Sequence, residues 1–137
     1  MKYALLDRGA TPRQLVATLA RSLHDDAPAR FADYTHRLRT PAFSIRDSAG
    51  ERRPPAPVTP ADLPQCILDA CFNDRVATNT VPAHEDDTIA IWTITARNAS
   101  RGVTITLNFR RIRDNPENDH APDNRAARWR LDFLDAT

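Results

Sequence analysis

The side chains here best suited to chemistry are histidines beside acids, two cysteines and a crowd of arginines. Histidine adjoins carboxylates in three places: His24-Asp25-Asp26, His84-Glu85-Asp86-Asp87 and Asp119-His120. Such clusters offer a hard-cation site or a His–Asp acid–base pair. Adjacent residues rarely chelate one ion together, because successive side chains in extended chain point opposite ways. There is no His-x-x-x-His, and the 114–123 segment lacks the central Gly and terminal Glu of a calcium loop. The three clusters therefore read as solvated loops, with no metal ligand, cofactor or catalytic residue assigned.

Cys66 and Cys71 stand five apart in a helical pattern. On one helix their Cα atoms lie about 8–9 Å apart, beyond the reach of a disulfide. They form no Cys-x-x-Cys, and no His stands at zinc-finger spacing. Core packing is the simpler role for both.

Arginine is the more informative residue. Of 19 basic residues, only Lys2 is not arginine, against 18 acids. Between Thr88 and Arg113 there are five arginines (Arg97, Arg101, Arg110, Arg111, Arg113) and no acid, and Arg128 and Arg130 follow. The guanidinium fork binds oxyanions in pairs, so a clustered set favours phosphate, carboxylate or an acidic protein surface. Outward charge also keeps a sheet from pairing with strangers, and the acids of 114–123 with Asp132 can neutralise the cluster.

Composition removes other chemistries. A net charge of +1 argues against a globally polyanion-binding protein. The three glycines, Gly9, Gly50 and Gly102, are too far apart for a Walker loop, a dinucleotide fingerprint or a Gly-x-Ser-x-Gly elbow. The chain opens without an apolar signal-peptide core, and no window approaches the ~18 apolar residues of a membrane span. A soluble, cytoplasmic protein is expected.

These groups need elements to hold them. Thr11-Pro12-Arg13-Gln14 reads as a capping box with Pro at the first helical position, and Leu15, Leu19 and Leu23 carry a helix over about 12–24. A second helix enters through Pro28, capped by Asp26, with Phe31, Tyr34 and Leu38 inward and Pro41 as its stop. Phe43 and Ile45 alternate into a short strand before the 47–50 turn, and residues 51–60 form a proline-stiffened strap. Thr59-Pro60 opens a third helix with Leu63, Cys66, Ile67, Ala70 and Cys71 buried. A polar stretch, 73–87, follows.

The period then changes from near four to two. Residues 88–96 form a strand apolar on both faces, Ile89 and Ile91 against Trp92 and Ile94. Val103, Ile105, Leu107 and Phe109 alternate with polar residues, as do Trp129, Leu131 and Phe133 with Arg128, Arg130 and Asp132. Odd must face odd when these two strands pair, which sets Arg110 near Arg128 or Arg130 on the outer face, with Asp132 and Asn108 close by. The twelve-residue connection 114–125 is longer than a hairpin needs, so it is either a contact loop or a tolerated insertion.

The whole chain, 1–137, is expected as one α+β domain: helices and short strands over about 1–75, packed on one face of an antiparallel meander over about 88–135. Helices followed by a meander ending in Trp129-Arg-Leu-Asp-Phe133 resemble the cone-shaped, cystatin-like fold of SnoaL-like and ketosteroid-isomerase-like proteins. The likeness lies in element order and transfers no residue roles.

Three functions follow, in order. The first is a non-enzymatic interaction protein (inhibitor, immunity factor, adaptor or accessory subunit). It would bind an acidic partner through Arg97, Arg101, Arg110, Arg111, Arg128 and Arg130, with Asp119 and His120 of the 114–125 loop beside them. The second is a small-molecule binder or enzyme with a pocket between helices and sheet, for which Tyr34, His36 and His24 are the titratable candidates. The third is nucleic-acid binding by the basic face, which lacks evident aromatics for base stacking. An exposed meander edge would also permit a homodimer.

Overall fold

The computed structural model describes residues 10–25, 27–112 and 128–137. In chain order the elements are α1 (Pro12–Ser22), α2 (Pro28–Leu38), β1 (Arg39–Asp47), β2 (Gly50–Arg52), a 3₁₀ turn (Pro60–Asp62), α3 (Gln65–Ala70), β3 (Ala77–Glu85), β4 (Ile89–Arg97), β5 (Gly102–Ile112) and β6 (Arg128–Ala136).

Helix α1 starts as its residues dictate. Thr11 Oγ1 accepts from Gln14 N at 3.3 Å and Gln14 Oε1 accepts from Thr11 N at 2.9 Å, so both halves of the capping box form. Helix α2 also begins at its proline, but its N-cap is Ala27 with no side-chain cap; Asp26 lies outside the described residues. The third helix divides. Thr59 and Asp62 cap one 3₁₀ turn, Leu63 is extended, and α3 starts only after Pro64. Proline disfavours the helical conformation in the residue before it, which breaks the expected continuous helix. Beyond α3, the Phe72 N–H donates to the Leu23 carbonyl at 2.5 Å, and its ring meets Phe31 edge to face at 6.0 Å. The ends of α1 and α3 are thereby tied together.

The strands form one six-stranded sheet in the order β2-β1-β6-β5-β4-β3. The expected meander is present and one strand larger, because β3 joins it. Strand β1 lies parallel to β6 and carries β2 as an edge hairpin. The polar stretch 73–87, to which the sequence assigns no element, is largely a nine-residue strand. As an edge strand it needs no apolar face, and Pro82 sits beside a register shift where its missing donor is tolerated.

One core lies between the helices and one face of the sheet. Leu15, Leu19 and Leu23 of α1, Phe31 and Leu38 of α2, and Ile67 of α3 meet Trp92, Ile94, Ile105, Leu107, Phe109 and Leu131, all at most 4% exposed. In β4 only the even residues are buried: Ile89 is 42% exposed, so this strand is not apolar-covered on both sides. Strand β6 departs from simple alternation. Leu131 pairs with Phe109, but Phe133 pairs with Asn108 and Leu134 with Leu107. A bulge at Asp132 shifts the phase, so Phe133 turns outward and Leu134 and Ala136 turn inward. The strap at 51–60 lies on the body: Pro54 and Val58 are buried, and the Arg39 guanidinium donates to the Pro54 carbonyl at 2.9 Å. Residues 2–7, expected as a strand or helical lead-in, lie outside the described residues.

Candidate functional site

Among the described residues the three helices pack on the concave face, α1 against β3 and β4, α2 against β6, and α3 against β5. Among the described residues no element covers the outer face. It carries Val81 (49% exposed) and Ile89, a threonine field of Thr93, Thr95, Thr104 and Thr106, and arginines at one end.

There Arg110 lies directly opposite Arg130, and Arg128 opposite Ile112. Like charges facing each other across strands are destabilising unless compensated. Asp132 provides the compensation: its Oδ1 accepts from Arg110 Nη2 at 3.2 Å and from the buried Thr40 hydroxyl at 2.7 Å. Arg130 Nη1 donates to the Arg37 carbonyl at 2.8 Å, a neutral acceptor that leaves its charge in place. Further along β6, Arg46 pairs with Asp135 at 3.0 Å and lies 5.2 Å over the Phe133 ring.

The other arginines are placed elsewhere. Arg97 and Arg101 sit at the β4–β5 hairpin, eight residues or about 26 Å of strand from the Arg110 row. Arg101 reaches Asp69 of α3 at 3.7 Å, while Arg97 has no ion pair among the described residues. Arg111 shares the concave face with Phe109 and stands opposite Trp129. Asp119, His120 and the 114–125 loop lie outside the described residues. The structure thus groups Arg110, Arg128 and Arg130, sets Arg97 and Arg101 apart, and turns Arg111 to the other side.

The histidine clusters do local work. His84 Nε2 lies 2.8 Å from Asp86 Oδ2, and Asp86 Oδ1 accepts from the backbone N–H groups of Thr88 and Ile89. Those bonds, the Thr88 amide foremost, hold the Asp86 carboxyl well below the ordinary carboxylate range. His24 reaches Thr78 at 3.2 Å, Tyr34 packs half-buried against the core, and His36 Nδ1 is buried with no partner among the described residues. None of these three lines either of the two clefts described below. No three His, Cys, Asp or Glu side chains among the described residues are grouped to hold a metal ion. Cys66 and Cys71 are free thiols. Burial pushes Cys71 up to about 12 and raises Cys66 as well.

Among the described residues, two of the clefts flank the packed interior. One, of about 480 Å³, lies at the C-terminal ends of β1 and β6 beside Cys66. The other, of about 410 Å³, lies at the opposite end between the start of α1, the β3–β4 turn, Arg111 and Trp129. Parity puts Arg111 on the face of the odd residues of β6, and the register sets it opposite Trp129. What parity could not supply was Arg13, brought over Trp92 by the docking of α1.

No protein-family model and no curated protein matches this sequence. Solved structures do match in shape. A candidate ketosteroid isomerase from Parabacteroides distasonis superposes with a TM-score of 0.53 at 13% identity, over 91% of this chain and 85% of that one. An NTF2-like protein of unknown function from Cytophaga hutchinsonii gives 0.43 at 9% identity, over 93% and 88%. A candidate calcium/calmodulin-dependent kinase II association domain from Exiguobacterium sibiricum gives 0.43 at 13%, over 91% and 88%. With the element order, the first likeness shows that this chain shares the fold of that candidate ketosteroid isomerase, helices packed on one face of a six-stranded, mostly antiparallel sheet. Identity this low carries fold and no residue roles. No helix among the described residues is long and apolar enough to cross a membrane.

Proposed function

We propose that this is a non-enzymatic interaction protein, of inhibitor, immunity, adaptor or accessory-subunit type, that docks an acidic protein on the outer face of its sheet. One observation carries the reading: among the described residues the helices cover only the concave face, leaving exposed Ile89 directly across from Arg110 of the Arg110–Arg128–Arg130 group, with exposed Val81 farther along the same face. Arginine beside apolar side chains is the composition of an interface centre, whereas a solvated face favours Lys and Glu. Asp132 and Thr40 fix Arg110 in place, so less side-chain entropy is lost on docking. Arg97 and Arg101 are a separate edge contact in this proposal, and Arg111 is not part of it.

The nucleic-acid reading is weaker, because Phe133 on this face is covered by Arg46 and offers no open ring for stacking. The proposal is tested by affinity capture from nuclease-treated lysate of the source, with mass spectrometry. One stoichiometric acidic protein, retained by the wild type and lost from Arg128→Glu/Arg130→Glu, is the expected result. A blank, or a partner indifferent to the charge reversal, overturns the proposal.

A further inference from the structure

The two edges of the sheet are built differently. At one, β2 is three residues long and carries Glu51 and Arg52, the short, charged form that resists pairing with other chains. At the other, β3 runs nine residues, Ala77–Glu85, with β4 on one side and no strand on the other among the described residues. Every second residue of an edge strand turns its N–H and C=O away from the sheet, so β3 offers a row of donors and acceptors to a further strand. From Val76 to Ala83 the chain has no ionisable side chain, and Val81, at the middle of β3, is 49% exposed. Only Pro82 and the register shift that follows it blunt this edge. Opposite charges flank the neutral run, Arg75 before it and Glu85 and Asp87 after it. Arg75 and Asp87 are exposed, and neither has an ion pair among the described residues.

We infer that the chain forms a homodimer by antiparallel pairing of β3 with β3 of a second copy, about a two-fold axis near Thr80 and Val81. The charges select both the partner and the direction. Antiparallel pairing about the strand's middle carries Arg75 of each copy to the Glu85–Asp87 end of the other, whereas parallel pairing would set Arg75 beside Arg75. Near the axis the two Val81 side chains come within cross-strand reach of each other, and each loses exposed apolar surface. The contact is isologous and uses up both β3 edges. The joined sheet then ends in the short, charged β2 on either side, so assembly stops at two copies. Pro82 withholds one N–H from each strand and the register shift shortens the ladder, so the dimer is a weak one. The arginines of the proposed docking surface lie on β5 and β6, away from this edge, so either proposal stands if the other fails.

The test is sedimentation velocity on the whole chain over about 5 to 500 μM, where a monomer–dimer equilibrium with a Kd below about 200 μM is expected. Val81→Lys, which places a charge in the middle of the edge, should weaken it by more than about ten-fold. Arg75→Glu and Asp87→Arg should each weaken self-association by about ten-fold, because each sets like charges together at both ends of the pairing. Mixed in equal amounts, these two variants should regain the wild-type affinity as a heterodimer, since each reversed charge then faces an opposite one. Both positions are exposed, and melting temperatures equal to that of the wild type control for folding. A monomer throughout the range overturns the inference. So does a dimer that neither single reversal weakens, a pair of reversals that mixing does not rescue, or a dimer lost on Arg128→Glu/Arg130→Glu, which would place the contact on the outer face.

Discussion

Removing the Asp132 carboxylate should reveal how the β6 bulge is held. Its Oδ1 serves two donors, the Thr40 hydroxyl at 2.7 Å and Arg110 Nη2 at 3.2 Å. Thr40 is 2% exposed, so Asp132→Ala leaves a buried hydroxyl without that acceptor, a loss of about 1–3 kcal/mol. The Arg110 pair is half in water, with side-chain exposures of 51% and 33%, and adds at most about 1 kcal/mol. Asp132→Ala should therefore destabilise by about 2–3 kcal/mol, and Asp132→Asn, which keeps an acceptor, by about 1 kcal/mol. Thr40→Val removes the donor and leaves Asp132 partly solvated, so on its own it costs about 1 kcal/mol. Combining Thr40→Val with Asp132→Ala should be milder than the sum by about 1–2 kcal/mol, because neither change then strands the other group. Urea denaturation with an unchanged m-value is the assay. A loss below about 0.5 kcal/mol for Asp132→Ala, or additivity of the pair, would refute the argument.

Three further outcomes are expected. Phe133→Ala should cost less than Leu131→Ala or Leu134→Ala, which should lose about 2–5 kcal/mol each; the reverse order in denaturation would deny the phase shift in β6. Asp86 has a folded-state pKa below its unfolded one, so its contribution is present above pH ~4 and fades as pH falls through the folded value. Asp86→Asn should melt earlier than wild type at neutral pH and converge with it in acid; parallel curves from pH ~3 to 7 would contradict this. Native protein at pH 8 should react with a thiol reagent at Cys66 slowly and at Cys71 only on unfolding, since burial holds the Cys71 thiol at about 12; rapid modification of both would contradict the packing.

Much of the fold was legible because period and caps are local properties. The Thr11–Gln14 box, the leucine stripe of α1 and the Val103–Phe109 alternation each specify an element without reference to the rest of the chain. The class followed, helices on one face of a sheet. What escaped depends on neighbours. Strand β3 has little apolar pattern because an edge strand with one open side needs little, and its Pro82 is tolerated beside a register shift. The bulge at Asp132 inserts one residue that no alternation rule anticipates, and it moved Phe133 to the face opposite the expected one. The parallel pairing of β1 with β6 joins segments about ninety residues apart, beyond any local signal.

The arginines were readable in kind and only partly in place. Parity alone brought Arg110 near Arg128 or Arg130, with Asp132 close by, because both strands keep strict alternation up to the bulge; the register selects Arg130. Arg97 and Arg101 were separated by strand length, and Arg111 by the same alternation that placed its neighbour. The cleft at the start of α1 needed tertiary docking: nothing local in Thr11–Arg13 tells where that turn of helix will lie relative to Trp92.

The central claim, docking of an acidic partner on the Arg110–Arg128–Arg130 face, is tested most directly by titrating the captured partner at two ionic strengths. Wild type is to be compared with Arg128→Glu/Arg130→Glu, with equal melting temperatures as the control for folding. The account predicts more than about ten-fold weaker binding for the variant, or over about 1.4 kcal/mol, and a wild-type affinity that falls with salt. An affinity unchanged by charge reversal and by salt would contradict it.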